Sequence, residues 1–199
     1  MTRSCWWLSV VVSGAVGAFS AEYFPAGAFG DTAKQHQFVA EWYSKHLAVM
    51  SEPSLLELSR RDATAEVYRF VYLRSFHHPI SVRLVLRKDG TAILVSKETD
   101  GKGGYEPGKL IRNTTATLSK KQTDFFRSQV ERGALWTLPT RQPGQIGLDG
   151  AQWIVEIMTG GRYHIVDRWS PRTDDPVHEF GTMLMINLAH FKLLDEDVY

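Results

Sequence analysis

The chain has 199 residues, of which 43% are hydrophobic and 23% are charged, as in an ordinary globular protein of one domain. Its 23 basic and 22 acidic residues give a formal net charge of +1, which excludes a strongly basic protein that binds nucleic acid. The single cysteine excludes a disulfide-stapled scaffold and a zinc module built on cysteines.

The first twenty residues have the layout of a secretory signal peptide: Arg3 supplies positive charge, residues 6–17 are mostly apolar, and Ala18-Phe19-Ser20 has the small-x-small pattern. A retained membrane anchor is the alternative, but the apolar stretch is shorter than the roughly 20 residues that a spanning helix needs. We therefore expect a periplasmic or secreted protein that meets the membrane only through the signal peptide, before cleavage. Cleavage also removes Cys5, so the mature chain, from Ala21, contains no cysteine and is formally neutral.

The mature chain begins with a predicted linker, residues 21–30, and continues as one domain, residues 31–199. Asp31 is the predicted N-cap of a helix of about five turns. The apolar and aromatic residues that define this helix recur at three- and four-residue spacing: Phe38, Val39, Trp42, Tyr43, Leu47 and Met50. Ser51-Glu52-Pro53 ends the helix, and residues 54–59 add a short helical turn.

Residues 65–76 form a predicted strand, and residues 80–87 and 91–97 form a predicted hairpin around Asp89-Gly90. A two-residue loop there pairs Val82 with Lys97 and divides the hairpin into two faces. The predicted apolar face carries Val82, Leu84, Leu86, Ile93, Val95 and Lys97, and the solvent face carries Arg83, Arg87 and Ser96. A lysine on an apolar face needs a carboxylate, for which Glu156 is a candidate, or an exit to water.

The rest of the chain alternates strands and helices. Residues 108–118 form a strand, and a capping box of Ser119 and Gln122 starts a helix over residues 120–132. The predicted core residues of that helix are Phe125, Phe126 and Val130. A second hairpin spans residues 152–169, and residues 180–194 form the C-terminal helix. Two antiparallel hairpins, one or two further strands and three segregated helices predict an α+β domain.

The second hairpin turns at Gly160-Gly161 and holds the densest cluster of polar and aromatic residues. A two-residue loop places Glu156 opposite Ile165, on one face with Tyr163, Asp167 and Trp169. A three-residue loop instead places Glu156 near His164 and Arg168. The sequence leaves both registers open.

Two interpretations of this hairpin follow. In the first, Glu156, His164 and Asp167 form the pocket of a hydrolase-type enzyme, although nothing in the sequence fixes a nucleophile. In the second, which we favour, the charges form cross-strand pairs and the aromatic side chains pack in the core or contribute to a binding surface. The candidate binding residues are Lys97, Lys102, Tyr105, Asp149, Trp153, Arg168 and Trp169.

Two further features allow a ligand but are weaker. His77 and His78 could begin a metal site with His164 or Asp167, yet no metal-ligand spacing is present and a turn at Pro79 explains the pair. The loop Asp100-Gly101-Lys102-Gly103-Gly104 has exposed amides that could hold an anion, but it lacks the Walker A pattern. We therefore predict no resident metal and no cofactor.

Several motifs resemble a group of uncharacterised secreted bacterial proteins. They are Tyr68-Arg69-Phe70, the stretch from Arg74 to Pro79, the loop from Gly101 to Gly108, Asp149-Gly150-Ala151-Gln152-Trp153, and the stretch from Tyr163 to Pro171. The resemblance covers roughly residues 42–171 and implies an exported bacterial protein of one domain; no activity is assigned to that group.

The sequence therefore predicts an exported α+β domain that binds a protein or a small molecule, with the hairpin region of residues 149–171 as its expected surface. The hydrolase-type enzyme is the first alternative. A structural component of the envelope is the second, and it would need neither a pocket nor an exposed aromatic patch.

Overall fold

The computed structural model describes residues 21–142 and 149–193. Its strands are β1 (Glu66–Arg74), β2 (Ile80–Leu86), β3 (Ala92–Thr99), β4 (Leu110–Leu118), β5 (Ala151–Thr159) and β6 (Arg162–Trp169). Its helices are α1 (Ala33–Val49), α2 (Leu55–Arg61), α3 (Lys120–Gly133) and α4 (Pro176–Thr182), and α4 continues as a π-helix, Met183–Leu188. The predicted signal peptide lies outside the described residues.

The strands form one antiparallel sheet in the order β4-β3-β2-β1-β5-β6, which confirms the predicted α+β fold. Two hairpins, β2–β3 and β5–β6, flank the first strand, and β4 extends the sheet beyond β3. Strand β1 is buried along nearly its whole length because it lies in the middle of the sheet with helices on both sides.

The two sides of the sheet bury different residues. On the side covered by α3 and α4, Phe70 and Trp153 pack against Phe126 and Phe180. We call this side the α3/α4 face and the opposite side the α1/α2 face. Alternate residues of a strand point to opposite faces, so Arg69 of β1 lies on the α1/α2 face. The charged residues discussed below therefore lie beneath α1 and α2.

Helix α1 begins one residue later than predicted. Thr32, and not Asp31, is the N-cap: its side chain accepts the amide N–H of Gln35, and the Gln35 side chain accepts the N–H of Thr32 in return. The segment 21–30, predicted as a linker, packs on the domain, since Phe24 and Phe29 are buried against Tyr43.

The predicted register of the β2–β3 hairpin is wrong by one residue. The hydrogen bond from Arg87 N to Thr91 O, at 2.8 Å, closes a three-residue loop, because Gly90 adopts a left-handed φ of 85° and ends a wider turn than the predicted one. Ser81, and not Val82, consequently pairs with Lys97. Lys97 therefore lies on the α1/α2 face with Arg83, opposite the face that carries Val82.

The C-terminal helix also differs from its prediction. It starts at Pro176, with the Asp175 carboxylate accepting the amide N–H of Val177, and the helical segment ends at Leu188. The predicted end, Leu194, lies outside the described residues. In α3 the capping box and the burial of Phe126 and Val130 are confirmed, but Phe125 is 52% exposed. Among the described residues, no helix is both long and apolar enough to cross a membrane.

Candidate functional site

The β5–β6 hairpin adopts the first of the two predicted registers. Thr159 pairs with Arg162 across Gly160-Gly161, so Glu156 lies opposite Ile165. Glu156 therefore shares the α1/α2 face with Tyr163 and Asp167, while His164 points to the other side of the sheet. The three residues of the hydrolase-type alternative do not converge.

Glu156 is fully buried and its carboxylate is occupied by protein groups. The guanidinium of Arg69 donates from Nε to Glu156 Oε2 at 2.6 Å, and the Tyr163 hydroxyl donates to Glu156 Oε1 at 2.8 Å. Burial raises the pKa of Glu156, against the opposing effects of Arg69 and Tyr163. Both carboxylate oxygens are engaged, so Glu156 serves to neutralise Arg69.

A second carboxylate, Glu52, lies just after α1 and completes a buried ion cluster. Arg83 Nε donates to Glu52 Oε2 at 2.7 Å, and the Lys97 ammonium lies 2.8 Å from Glu52 Oε1. Lys97 also donates to the carbonyl of Met50 at 2.8 Å. Burial raises the pKa of Glu52, but Arg69, Arg83 and Lys97 outweigh burial and hold that pKa below its ordinary value.

The cluster of Glu52, Arg69, Arg83, Lys97 and Glu156 fastens α1 and the 50–53 turn to the sheet. Arg69 Nη1 also donates to the carbonyl of Pro53 at 2.6 Å. Lys97, a predicted binding residue, is 6% exposed and is held by Glu52, which differs from the predicted partner Glu156. Of the two alternatives predicted for Lys97, a carboxylate partner and an exit to water, the structure shows the first, and Lys97 is not available to a ligand.

Asp167 is the third buried carboxylate of the α1/α2 face. Its Oδ2 accepts a hydrogen bond of 3.1 Å from the hydroxyl of Tyr43 on α1. With its amide oriented to suit the surrounding donors and acceptors, Gln152 donates to Asp167 Oδ1 at 2.7 Å. Burial raises the pKa of Asp167 to about 7, although the Tyr43 hydrogen bond opposes the change.

The other candidate residues of the hairpin have structural contacts. Trp153 and Arg168 are 0% and 1% exposed, so neither belongs to a surface. Arg168 donates to the carbonyls of Pro139 and Thr140, at 3.0 and 3.1 Å, and fastens that segment to β6. Trp169 is half-buried over Gly150, where an added Cβ would lie 2.6 Å from its ring. The expected surface at residues 149–171 is therefore mostly interior.

The remaining candidates of the enzyme and metal alternatives are dispersed. His164 stacks on Trp136 and its Nε2 lies 3.0 Å from the carbonyl of Leu138, while burial lowers its pKa. His78 Nδ1 lies 2.9 Å from Glu98 Oε1, and His77 is exposed. Within residues 21–142 and 149–193, no three His, Cys, Asp or Glu side chains come close enough together to hold a metal ion.

Three of the predicted binding residues, Lys102, Tyr105 and Asp149, are exposed, and the first two belong to the glycine-rich loop 100–109. Gly103 packs this loop against β1: an added Cβ there would lie 2.6 Å from the backbone N and O of Arg74. The indole Nε1 of Trp42 donates to the carbonyl of Gly103 at 2.7 Å, which ties the loop to α1. The loop therefore has a defined position beside the helix.

A groove of about 630 Å³ runs between α1 and this loop. We call it the aromatic groove; six of the residues that line it are Phe38, Glu41, Trp42, Lys45, Tyr105 and Glu106. Phe38 and Tyr105 are 70% and 56% exposed, and the neighbouring Phe76, 6.1 Å from Tyr105 between ring centroids, is 48% exposed. Isolated exposed aromatic residues are common, but a contiguous group of them is typical of an interaction surface.

The lining of the aromatic groove carries more negative than positive charge, with two carboxylates and one lysine. Lys45 pairs with Glu106 at 3.0 Å, and Glu41 accepts a hydrogen bond of 2.8 Å from the neutral amide of Gln37. The lining therefore carries one uncompensated carboxylate. Beneath the groove, burial lowers the pKa of His46 to about 4, with a contribution from Lys45, so His46 is neutral near pH 7.

A second groove, of about 680 Å³, lies between α3 and α4. Its walls are more polar and carry charges of both signs, including Arg132, Asp174 and Glu179, and Phe125 is its exposed aromatic residue. It lacks the grouped aromatic side chains of the first groove. Of the two, the aromatic groove has the lining that is typical of a binding site.

The sequence prediction assigned Phe38 and Trp42 to the core stripe of α1. The buried residues Tyr43, His46 and Leu47 form one stripe of the helix. Phe38 and Trp42 are four residues apart and form an adjacent stripe with Glu41 and Lys45. The charged residues in this second stripe were the sequence signal for a surface position. A prediction based on hydrophobicity alone assigned both stripes to the core.

Replacing Gly103 by alanine should destabilise the loop by about 1–3 kcal/mol, the usual cost of an inserted methyl group that backbone atoms must move to accommodate. The change should also shift the NMR signal of the Trp42 indole N–H, because its acceptor is the Gly103 carbonyl. Gly133→Ala is the control, since its added Cβ meets nothing closer than 3.6 Å. An unmoved Trp42 signal in Gly103→Ala would contradict the described packing.

Comparison with protein-family models gives no match, and comparison with curated proteins gives no significant match.

Proposed function

We propose that the protein is an exported binding protein whose aromatic groove receives a segment of a protein partner. The segment presents an aromatic or aliphatic side chain next to a lysine or an arginine. The observation that carries the proposal is the exposure of Phe38, Phe76 and Tyr105 in one place. Export is supported by the signal-peptide pattern of residues 1–20 and by the resemblance to secreted bacterial proteins.

The chemistry of the groove selects this kind of segment. Aromatic walls gain most from burying another apolar or aromatic side chain. The uncompensated carboxylate at Glu41 favours a cationic neighbour on that segment, and the exposed ring faces favour the same charge. The hydrolase-type alternative has no comparable support, because His164 and Glu156 lie on opposite faces of the sheet.

Four labelled peptides test the proposal by fluorescence anisotropy. They share one Gly-Ser framework and differ in the central pair, which is Trp-Lys, Trp-Glu, Ser-Lys or Trp-Ser. We expect Trp-Lys to bind most tightly, and Tyr105→Ala and Phe38→Ala to weaken its binding at least about tenfold, as for an aromatic interface residue. Glu41→Gln should reduce the preference for Trp-Lys over Trp-Ser, most clearly at low salt.

The matched control is Phe125→Ala, which removes a phenylalanine of similar exposure, 52%, from the other groove. This variant should bind all four peptides as the unaltered protein does. Equal loss of binding in Phe125→Ala and Tyr105→Ala would contradict the proposal, and so would the absence of binding by every peptide up to millimolar concentration.

A further inference from the structure

The two edges of the sheet are protected differently. At the β6 edge the amide of Asp167 donates to the carbonyl of Thr140 at 2.7 Å, and Arg168 holds the same segment in place. At the other edge β4 pairs only with β3, and no backbone hydrogen bond to its outer side, from Ile111 to Leu118, is found among the described residues. Among the described residues, β6 therefore has one backbone hydrogen bond on its outer side and β4 has none, so β4 is the more open edge.

The register identifies the backbone groups that are open. The hydrogen bond from Arg87 N to Thr91 O directs the odd-numbered residues of β3 toward β2. The even-numbered residues of β3 consequently bond to β4, where their partners are also even-numbered, as in the pair Ser96–Thr114. The N–H and C=O groups that point outward from β4 belong to Asn113, Thr115 and Thr117.

Strand β4 has almost none of the features that prevent an edge strand from pairing with another chain. Its nine residues include no proline, no lysine and a single charge, Arg112. That guanidinium is turned toward the C-terminal segment, where it donates to the carbonyl of Ala189 at 2.7 Å and lies 3.9 Å from the ring of Phe191. The one irregularity of the β3–β4 ladder lies at its end, between Glu98 and Thr99. A long, regular and nearly uncharged edge strand is able to pair with a strand of another chain.

We propose that two copies of this chain pair through β4, antiparallel, about a two-fold axis at Thr114. This register overlaps the full strand, places Asn113 opposite Thr115 with their outward groups facing, and joins two six-stranded sheets into one of twelve strands. Arg112 then lies opposite Ala116, so like charges do not meet. The low net charge of +1 opposes association only weakly.

A second copy suits this edge better than an unrelated strand. A two-fold pairing uses the β4 edge of both copies, so it is complete with two chains and leaves no β4 edge unpaired. At the two-fold axis Thr114 faces its own copy, and threonine pairs favourably with threonine across strands. The proposal does not depend on a ligand in the aromatic groove, which lies at α1 on a different part of the molecule.

Thr115→Pro tests the pairing, because it removes an outward N–H and leaves the β3–β4 hydrogen bonds intact. Thr115→Val is the control that keeps the N–H. By sedimentation analysis of the purified full chain we expect dimers for the unaltered protein and Thr115→Val, and a dissociation constant at least about tenfold higher for Thr115→Pro. Association through residues 1–20 would survive in Thr115→Pro, so dimers of undiminished affinity in that variant overturn the proposal. If the unaltered protein is still monomeric at about 100 µM, a concentration on the order of the dissociation constant of a weak dimer, the proposal is overturned as well.

An engineered disulfide tests the register and does not depend on the folding of the proline variant. In a Cys5→Ser background, Thr114→Cys introduces the only thiol, and the two-fold axis brings the two copies of this position to a Cα separation of about 4.5 Å, within the range of a disulfide. Thr117→Cys is the control, since its two copies lie about 20 Å apart. We expect covalent dimers of Thr114→Cys alone under mild oxidation. Equal cross-linking of both variants, or none of Thr114→Cys, overturns the proposed pairing.

Discussion

Replacing Arg69 by methionine should lower the free energy of unfolding by about 3–5 kcal/mol, the usual cost of removing one partner from a buried ion pair. Arg69 is 0% exposed and is the cation that contacts Glu156, at 2.6 Å. Methionine fills much of the same volume but leaves that carboxylate buried without its counter-ion. It also frees the carbonyl of Pro53, which accepts from Arg69 at 2.6 Å. Urea denaturation measures the loss.

Two further variants distinguish the stability lost by breaking the ion pair from any effect of removing an arginine in general. The double variant Arg69→Met with Glu156→Leu removes both charges and should recover much of the lost stability, because an apolar pair of similar size often replaces a buried ion pair without cost. Arg172→Met removes an arginine that is 86% exposed and pairs with Asp174, and its denaturation midpoint should not change. A double variant no more stable than Arg69→Met would show that Glu156 is not the reason for the loss.

The fold was largely predictable because it depends on local patterns. The run of Tyr, Val and Phe in β1, the capping box of α3 and the Gly160-Gly161 turn each define an element within a few neighbouring residues. The α+β class follows from the order of these elements. The β2–β3 register was predicted wrongly because it depends on whether Asp89-Gly90 closes a two- or a three-residue loop, and both are compatible with a glycine of positive φ.

The candidate site was harder to predict because it depends on contacts between distant parts of the chain. Lys97 was expected either to meet a carboxylate, with Glu156 as the candidate, or to reach water, but its partner Glu52 lies in the turn after α1, 45 positions earlier in the chain. A one-residue error in register had also placed Lys97 on the wrong face of the sheet. Tyr105 was named as a candidate binding residue and lines the groove, whereas its neighbour in the groove, Phe38, was assigned to the core.

The aromatic groove and the buried ion cluster are connected through α1. Lys45 and Trp42 line the groove from this helix, while Glu52, just beyond its end, anchors the same segment in the cluster. The cluster fixes where the helix ends, and the Trp42–Gly103 hydrogen bond fixes the loop against the helix. The groove is therefore held by rigid elements on both sides, an arrangement that limits the entropy lost when a ligand binds.

Asp167 should make the stability of the protein depend on pH. Burial raises its pKa in the folded state to about 7, whereas the unfolded chain has the ordinary value near 4. A folded-state pKa above the unfolded value means that the folded protein binds the proton more tightly. The stabilising contribution is therefore complete below about pH 4 and is lost as the pH rises through about 7.

Asp167→Asn isolates this effect, because asparagine has nearly the same shape and does not titrate. Relative to the unaltered protein, the variant should gain stability progressively between about pH 4 and pH 8, by an amount on the order of a few kcal/mol, since one pKa unit corresponds to about 1.4 kcal/mol. The difference between the two proteins, measured by urea denaturation at each pH, cancels the titration of shared groups. His46 is one such group: burial lowers its pKa to about 4, so it changes stability in the opposite direction over the same range.

The control is Asp174→Asn, which removes an exposed carboxylate and should follow the pH profile of the unaltered protein without a growing difference. A constant difference between Asp167→Asn and the unaltered protein from pH 4 to pH 8 would show that the Asp167 carboxylate is ionised throughout. In that case the hydrogen bonds from Tyr43 and Gln152 would outweigh burial. The experiment thus determines whether the third carboxylate of the α1/α2 face carries its charge near neutral pH or, in contrast to Glu52, holds a proton there.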